Sequence, residues 1–116
     1  MQLQLYGKQI WIFKKPVDFR KSLDGLSQLV SEMKGDLREG IYLFYNKNKD
    51  KVKCLSWHKN GFILFYKRLE KGRFCVGFKK AEGIAEMKVT ELGWLLAGLE
   101  WQKMRHWQEL DYQKFS

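Results

Sequence analysis

The chain has 116 residues, enough for one domain with a buried core but too few for two independent cores. Its composition, 45% hydrophobic and 16% aromatic, excludes a disordered polycation despite a formal net charge of +9 at pH 7. No apolar run approaches the ~18 residues of a membrane span, and the first residues lack the pattern of a signal peptide, so we expect a cytoplasmic protein with no membrane partner.

The first predicted elements are a strand and an amphipathic helix. The segment Gln9–Phe13 is short, β-branched and aromatic, which favours a buried strand that ends before Pro16. Asp18 is then a candidate N-cap for a helix running to about Lys34, with apolar residues at three- and four-residue steps. The Gly35-Asp36 pair is expected to end this helix, because glycine accepts the left-handed conformation.

From residue 41 onward the pattern is typical of strands. Residues 41–45 and 62–66 are apolar throughout, and residues 51–57 alternate less cleanly. The polar residues 46–50 predict one hairpin loop, and Asn60-Gly61 predicts a second hairpin turn. A further short strand is expected at residues 73–78, after the turn at Lys71-Gly72.

A second helix is predicted near the C-terminus, with Thr90 as its N-cap, a leucine stripe, and an end at Gly98 or soon after. The predicted fold class is α+β, an antiparallel β-meander of four to five strands packed with an N-terminal amphipathic helix and a C-terminal helix. Residues 1–101 form the domain, and residues 102–116 form an extension. Trp107 and Leu110 continue a helical spacing there, which leaves open whether the extension is a helix, covers the core or joins subunits.

Positive charge is concentrated in one stretch of the chain. Residues 47–80 contain eleven basic and two acidic residues, so they carry the whole formal excess of +9. Such a surface attracts phosphate through counterion release. Lys51 and Lys53 are expected to share one face of a strand. The candidate nucleic-acid contacts are Lys47, Lys49, Lys51, Lys53, Lys67, Arg68, Lys71, Arg73, Arg20 and Lys21.

The same basic residues have a structural alternative. Lysines solubilise an exposed hairpin and protect a sheet edge from pairing, and Glu70 is available as a counter-charge for Arg68 and Arg73. The aromatic residues near these cations are open to two interpretations as well. They stack on unpaired bases or, as we expect for most of them, pack in the core. These residues are Trp57, Phe62, Tyr66 and Phe74.

No pattern of catalytic or metal-binding residues is visible. Cys54 and Cys75 lack a second ligand at metal spacing and are expected to be reduced and partly buried. His58 and His106 are far apart in sequence. A nuclease would need clustered carboxylates, and the acids nearest the basic stretch show no ligand spacing. These acids are Asp18, Asp24, Asp50 and Glu70. We therefore expect no enzyme activity and no cofactor.

Four motifs occur together in a characteristic order. They are PVDFRKSLDGL from Pro16, GIYLF from Gly40, the Trp57 to Gly61 turn and YKRLEKGRF from Tyr66, followed by a leucine-rich end at LGWLLAGLEW. In this combination, over roughly residues 9–101, the chain resembles the small accessory protein of bacterial insertion sequences of the IS-sixty-six family. That protein is called TnpB or Orf2-like and is unrelated to the RNA-guided nuclease of the same name.

The resemblance implies a protein encoded beside a separate, larger transposase and needed for efficient movement of the element, without an established active site. Together with the basic stretch, it predicts a non-catalytic transposition factor that binds DNA at the ends of the insertion sequence, the transposase, or both. The alternative is a protein-interaction module that docks on the transposase without contacting DNA. Homo-oligomer formation stays open.

Overall fold

The computed structural model describes residues 8–105, which form a five-stranded sheet and two helices, with residues 101–105 again helical. In chain order the elements are β1 (Gln9–Phe13), α1 (Leu23–Glu32), β2 (Gly40–Tyr45), β3 (Lys51–His58), β4 (Gly61–Arg68), β5 (Ile84–Met87) and α2 (Val89–Leu96). The strands lie side by side in the order β4-β3-β2-β1-β5. The α+β class is confirmed, as is the number of strands.

The sheet is mixed, so the prediction of a purely antiparallel meander is wrong. Strands β2, β3 and β4 are antiparallel neighbours, but β1 pairs with β2 in parallel, with Ile10 opposite Ile41. The reason is the connection between β1 and β2, which contains α1. A helical crossover returns the chain to the start of the next strand and so gives a parallel pair, whereas a short turn gives an antiparallel one.

The strand predicted at residues 73–78 is absent, because this segment forms no ladder. The chain leaves β4 at one edge of the sheet and reaches β5 at the other, across ~19 Å of strand spacing. It crosses one face of the sheet, where Phe74 and Val76 are 2% and 7% exposed. The alternation of apolar and polar residues in this segment therefore comes from the burial of Phe74 and Val76 in the core and not from strand pairing. The fifth strand is β5, which pairs antiparallel with β1.

Helix α1 begins later than the sequence indicated. Ser22 is its N-cap, and Ser22 Oγ accepts a hydrogen bond from the Gly25 backbone N–H at 3.5 Å, so Asp18 is not the cap. After the helix, Lys34 rather than Gly35 takes the left-handed conformation, with φ of 57°. Gly35 is needed for close packing instead, since a Cβ there would lie 2.5 Å from Tyr42 Oη.

Helix α2 has Lys88 as its N-cap, and Thr90, the predicted cap, lies inside the helix. The Glu91 carboxylate accepts a hydrogen bond from the Lys88 backbone N–H at 2.7 Å, as in one half of a capping box. Glu91 is 1% exposed and forms a bidentate ion pair with the Arg105 guanidinium, in which Nη2 lies 2.6 Å from Oε1. This pair joins residues 101–105 to the start of α2.

Strand β2 lies between two apolar layers, which explains why GIYLFY is buried at every position. On one side, here called the α1 face, Leu26 and Val30 of α1 pack with Phe44. On the other, here called the α2 face, α2, the crossing segment 73–78 and Trp101 pack together over the sheet. Each fully buried apolar side chain of this size contributes about 1.5–3 kcal/mol.

The β3–β4 hairpin turns one residue earlier than predicted. His58 pairs with Gly61, so Lys59 and Asn60 form the turn, and Lys59 takes a left-handed φ of 54°. The described residues contain no helix that is long and apolar enough to cross a membrane. The domain boundary at residue 101 stays a prediction. Trp107 and Leu110, whose role was left open, lie outside the described residues.

Candidate nucleic-acid interface

The lysines of β3 are sorted by the alternation of side chains between the two faces of the sheet. Lys51 and Lys53 lie on the α1 face with Leu55, as expected for residues two apart on a strand. Across the β3–β4 ladder, Lys51 stands opposite Arg68 and Lys53 opposite Tyr66. Two lysines, an arginine and a tyrosine of the hairpin therefore share one surface.

This surface borders an open groove of about 830 Å³ on the α1 face, called here the basic groove. It is lined by β3, Tyr66 of β4, residues 15–20 before α1 and residues 46–48 of the β2–β3 loop. Among the described residues, Asp18 is the one acidic side chain in the lining. The cations that line it are Lys15, Arg20, Lys47, Lys51 and Lys53.

Lys53 joins two walls of the basic groove. Its Nζ donates a hydrogen bond to the Phe19 carbonyl oxygen at 3.2 Å and lies 4.7 Å from the centroid of the Phe19 ring. The same ammonium is 5.9 Å from the centroid of the Tyr66 ring. Cation–π contacts at these distances are favourable. Lys53 therefore holds residues 15–20 against the hairpin as well as contributing charge.

The acid in the groove is neutralised by its neighbour. Asp18 accepts hydrogen bonds from the Arg20 guanidinium, with Nη2 2.8 Å from Oδ2, and from the Arg20 backbone N–H at 2.9 Å. The side-chain hydrogen bond, followed by the backbone one, lowers the pKa of Asp18 from 3.8 to about 2, and the carboxylate raises the pKa of Arg20. Asp18 is therefore ionised at neutral pH and paired, and the groove keeps an excess of positive charge.

Two predicted contacts instead support the α2 face. Lys67 Nζ donates a hydrogen bond to the Leu96 carbonyl oxygen at 2.7 Å, at the C-terminal end of α2, where a cation is favoured by the helix dipole. Lys49 has a left-handed φ of 59°, and its carbonyl oxygen accepts a hydrogen bond from the Phe74 backbone N–H at 2.6 Å. Neither lysine lines the basic groove.

The remaining predicted contacts are exposed but dispersed. Arg68 lies on the α1 face outside the groove lining, and its Nη2 is 3.2 Å from Glu70 Oε1, the counter-charge considered from sequence. Lys71 and Arg73 are exposed on the segment that follows β4, and Lys21 is exposed just before α1. The YKRLEKGRF motif therefore does not form one cationic cluster, since its members are divided between the two faces and a loop.

Sequence reasoning missed Lys15 and Phe19 as parts of the groove. Both lie far along the chain from the basic stretch at residues 47–80, and only the tertiary fold brings them to it. The one sequence signal for their role was Lys14-Lys15-Pro16, which places two positive charges where proline ends the preceding strand.

The other titratable residues show no catalytic arrangement within residues 8–105. No group of three His, Cys, Asp or Glu side chains there is placed to hold a metal ion. Burial raises the pKa of the Cys54 thiol to about 12, so it is protonated and unreactive at neutral pH. A side-chain hydrogen bond from Asn46 at 2.6 Å lowers the pKa of Asp50. His106 lies outside the described residues.

Strand β4 is exposed in an unusual way for a strand this apolar. It is an edge strand, and Phe62, Ile63 and Leu64 are each 40% exposed while Tyr66 is 48% exposed. The Trp57 ring packs edge-to-face on Phe62 with centroids 5.0 Å apart, and Phe74 is buried. Long apolar edges are normally covered or charged, because they recruit other chains. This surface is called here the β4 edge.

Comparison with known proteins identifies the family. Residues 8–106 match the family described as IS66 Orf2 like protein. The uncharacterized protein y4jC of Sinorhizobium fredii is 37% identical over 101 residues, covering 85% of this chain and 86% of that protein. The uncharacterized protein y4hO of the same organism is 31% identical over 104 residues, covering 87% of this chain and 86% of that protein. No solved structure matches the chain. The chain therefore belongs to the IS66 Orf2-like family, an accessory, non-catalytic family, and its membership implies an accessory role in transposition.

Proposed function

We propose that this protein is a non-catalytic accessory factor that binds the DNA of a bacterial insertion sequence through the basic groove. The observation that carries the proposal is the groove lining, in which five cations face one acid that is already paired with Arg20. A cytoplasmic location, with access to the element's DNA, is part of the proposal.

Two of the lysines in the groove suit phosphate better than they suit a structural role. Within the described chain, neither Lys47 nor Lys51 has a hydrogen bond or ion pair from its side chain to another residue, so binding phosphate would break no such contact. Each lysine that neutralises a phosphate releases counterions, which gives salt-dependent affinity with little sequence preference. Arg20 donates to Asp18 through Nε and Nη2, so its part in the groove is to neutralise that acid.

A mobility-shift assay across a salt series tests the proposal, with duplex DNA from the element's ends and random duplex as probes. We expect the Lys47→Ala/Lys51→Ala double variant to bind more weakly and to flatten the salt slope by about one unit for each phosphate that is no longer neutralised. The matched control is Lys79→Ala/Lys80→Ala, which removes the same charge from exposed positions outside the groove. Equal weakening in both variants would assign binding to net charge, and no binding at low salt by folded wild-type protein would overturn the proposal.

A second candidate function, docking on the transposase without direct DNA contact, is favoured by the β4 edge. The exposed Ile63 and Leu64 side chains suit an apolar protein surface, and the outer side of β4, which pairs with no other strand of residues 8–105, suits the addition of a strand from a partner. Co-purification of the transposase after nuclease treatment, abolished in Leu64→Lys but kept in Lys47→Ala/Lys51→Ala, would support it. Light scattering of the isolated protein reports whether the same edge joins two copies.

A further inference from the structure

We propose that the basic groove binds an unpaired segment of DNA, with one base stacked on the Tyr66 ring. This inference rests on the proposed DNA binding and specifies its ligand as a single strand rather than a duplex.

Tyr66 presents an exposed ring within the basic groove. Most aromatic residues near the basic stretch are buried or partly covered, but Tyr66 is 48% exposed and contributes its ring to the groove lining. It stands on a paired strand opposite Lys53, whose ammonium lies 5.9 Å from the ring centroid. A ring held on a sheet beside a cation has the features of a base-stacking platform.

The shape of the basic groove suits an unpaired base better than a duplex. Its walls are residues 15–20 and 46–48, and its volume of about 830 Å³ lies within the ~300–1,000 Å³ range of sites for small ligands. A duplex presents phosphates on its outside and keeps its bases stacked within. A base can therefore stack on an aromatic ring inside a concave groove only after it has left the stack of the duplex.

Two lysines near the Tyr66 ring are available to contact phosphates. Lys51 lies two residues from Lys53 on the same face of β3, a spacing of about 7 Å along the strand. Lys47 lines the groove from the β2–β3 loop. Lys53 is occupied with the Phe19 carbonyl oxygen, which leaves Lys47 and Lys51, both toward the β2–β3 loop from Tyr66, to contact phosphates next to the stacked base.

Fluorescence anisotropy with a labelled single strand and its matched duplex tests this inference, using the full chain. We expect wild-type protein to prefer the single strand and Tyr66→Leu to lose about tenfold or more of that affinity with an unchanged salt slope, because stacking releases no counterions. Tyr66→Phe keeps the ring and is expected to keep the affinity. The control Phe62→Leu, on the same face of β4 but outside the groove, is expected to bind as wild type does.

The outcomes separate this inference from the proposed function. If wild-type protein binds single strand and duplex equally, and Tyr66→Leu binds both as well as wild type, the single-strand inference is overturned while DNA binding stands. If neither DNA binds, both fail. A second readout avoids dependence on variant folding: quenching of 2-aminopurine fluorescence in the single strand on binding wild-type protein supports stacking, and unquenched binding overturns it.

Discussion

The two faces of the β3–β4 hairpin use their basic residues differently: Lys51, Lys53 and Arg68 lie on the α1 face, and Lys67 lies on the α2 face. On the α2 face, Lys67 is committed to the last carbonyl group of α2, 2.7 Å away. On the α1 face, Lys51 borders an open groove without a hydrogen bond or ion pair to another described residue. Lysines on opposite faces of the hairpin therefore have different roles, although they look alike in sequence. The face of the sheet to which a side chain points, more than the local density of charge, decides which cations are available to a ligand.

The largest effect is expected on the α2 face, from Glu91→Ala. Glu91 is 1% exposed and paired with Arg105, so its removal takes a buried acceptor away from both the guanidinium and the Lys88 backbone N–H. Because Arg105 is 38% exposed, water still reaches its guanidinium in this variant, and we expect the free energy of unfolding to fall by about 1.5–3 kcal/mol in urea titration. The control Glu100→Ala, whose pair with Lys103 is exposed, should cost less than about 1 kcal/mol. Equal costs would mean that burial does not distinguish the two pairs.

A glycine on each face sharpens the comparison. Gly35→Ala is expected to cost about 1–3 kcal/mol, because the new Cβ meets the Tyr42 ring that supports the α1 face. Gly93→Ala in α2 has nothing within 4 Å of its Cβ and should instead add about 0.5–1 kcal/mol through helix propensity. Thermal denaturation of both variants tests these opposite signs, and a stabilised Gly35→Ala would contradict the close approach.

Lys67→Met tests whether the α2-face lysine is structural. The variant keeps most of the side-chain volume but removes the hydrogen bond to the Leu96 carbonyl oxygen, so we expect the unfolding free energy to fall by about 0.5–1.5 kcal/mol. The salt slope of DNA binding should not change. Lys51→Met should show the reverse, with a flatter slope and little change in stability. A flatter salt slope for Lys67→Met would contradict the assignment of different roles to the two faces.

The smallest effect concerns the acid in the basic groove. In Arg20→Gln, we expect the pKa of Asp18 to rise from about 2 toward 3.8, because the main hydrogen bond that favours the carboxylate is removed. In the wild type, the lowered pKa contributes stability above pH 3.8, and this contribution is lost as the pH falls through about 2. NMR titration of the side-chain carboxyl carbon measures both values. An unchanged pKa would show that Arg20 is not its partner in solution.

The sequence predicted elements better than their arrangement. Four strands were found because apolar and β-branched runs are local signals, and Gln9–Phe13 was predicted to the residue. The parallel pairing of β1 with β2 was not predicted, although the predicted order of strand, helix and strand is the order of a parallel crossover. The strand prediction at residues 73–78 was wrong because Phe74 and Val76 are buried in the core, and this gives the same alternation of apolar and polar residues as a strand does.

The candidate site was partly predictable for the same reason. The shared face of Lys51 and Lys53 follows from strand periodicity alone. The commitment of Lys67 to α2 depends on a contact between residues 29 positions apart, and the contribution of Lys15 depends on the crossover that contains α1. Sequence therefore predicts where the charge is concentrated, while the fold decides which charges meet.

The order of strands in the sheet also sets an order of assembly. Strands β2, β3 and β4 are joined by short turns, so they pair at little cost in chain entropy. Strand β5 pairs with β1 from the far end of the described chain, with Met87 opposite Ile10, and only after residues 69–83 have crossed the sheet. We expect the meander that carries Lys51, Lys53 and Tyr66 to form early in folding and the β1–β5 pair to close late. Pulsed hydrogen exchange would then protect the amides of β3 before those of β5.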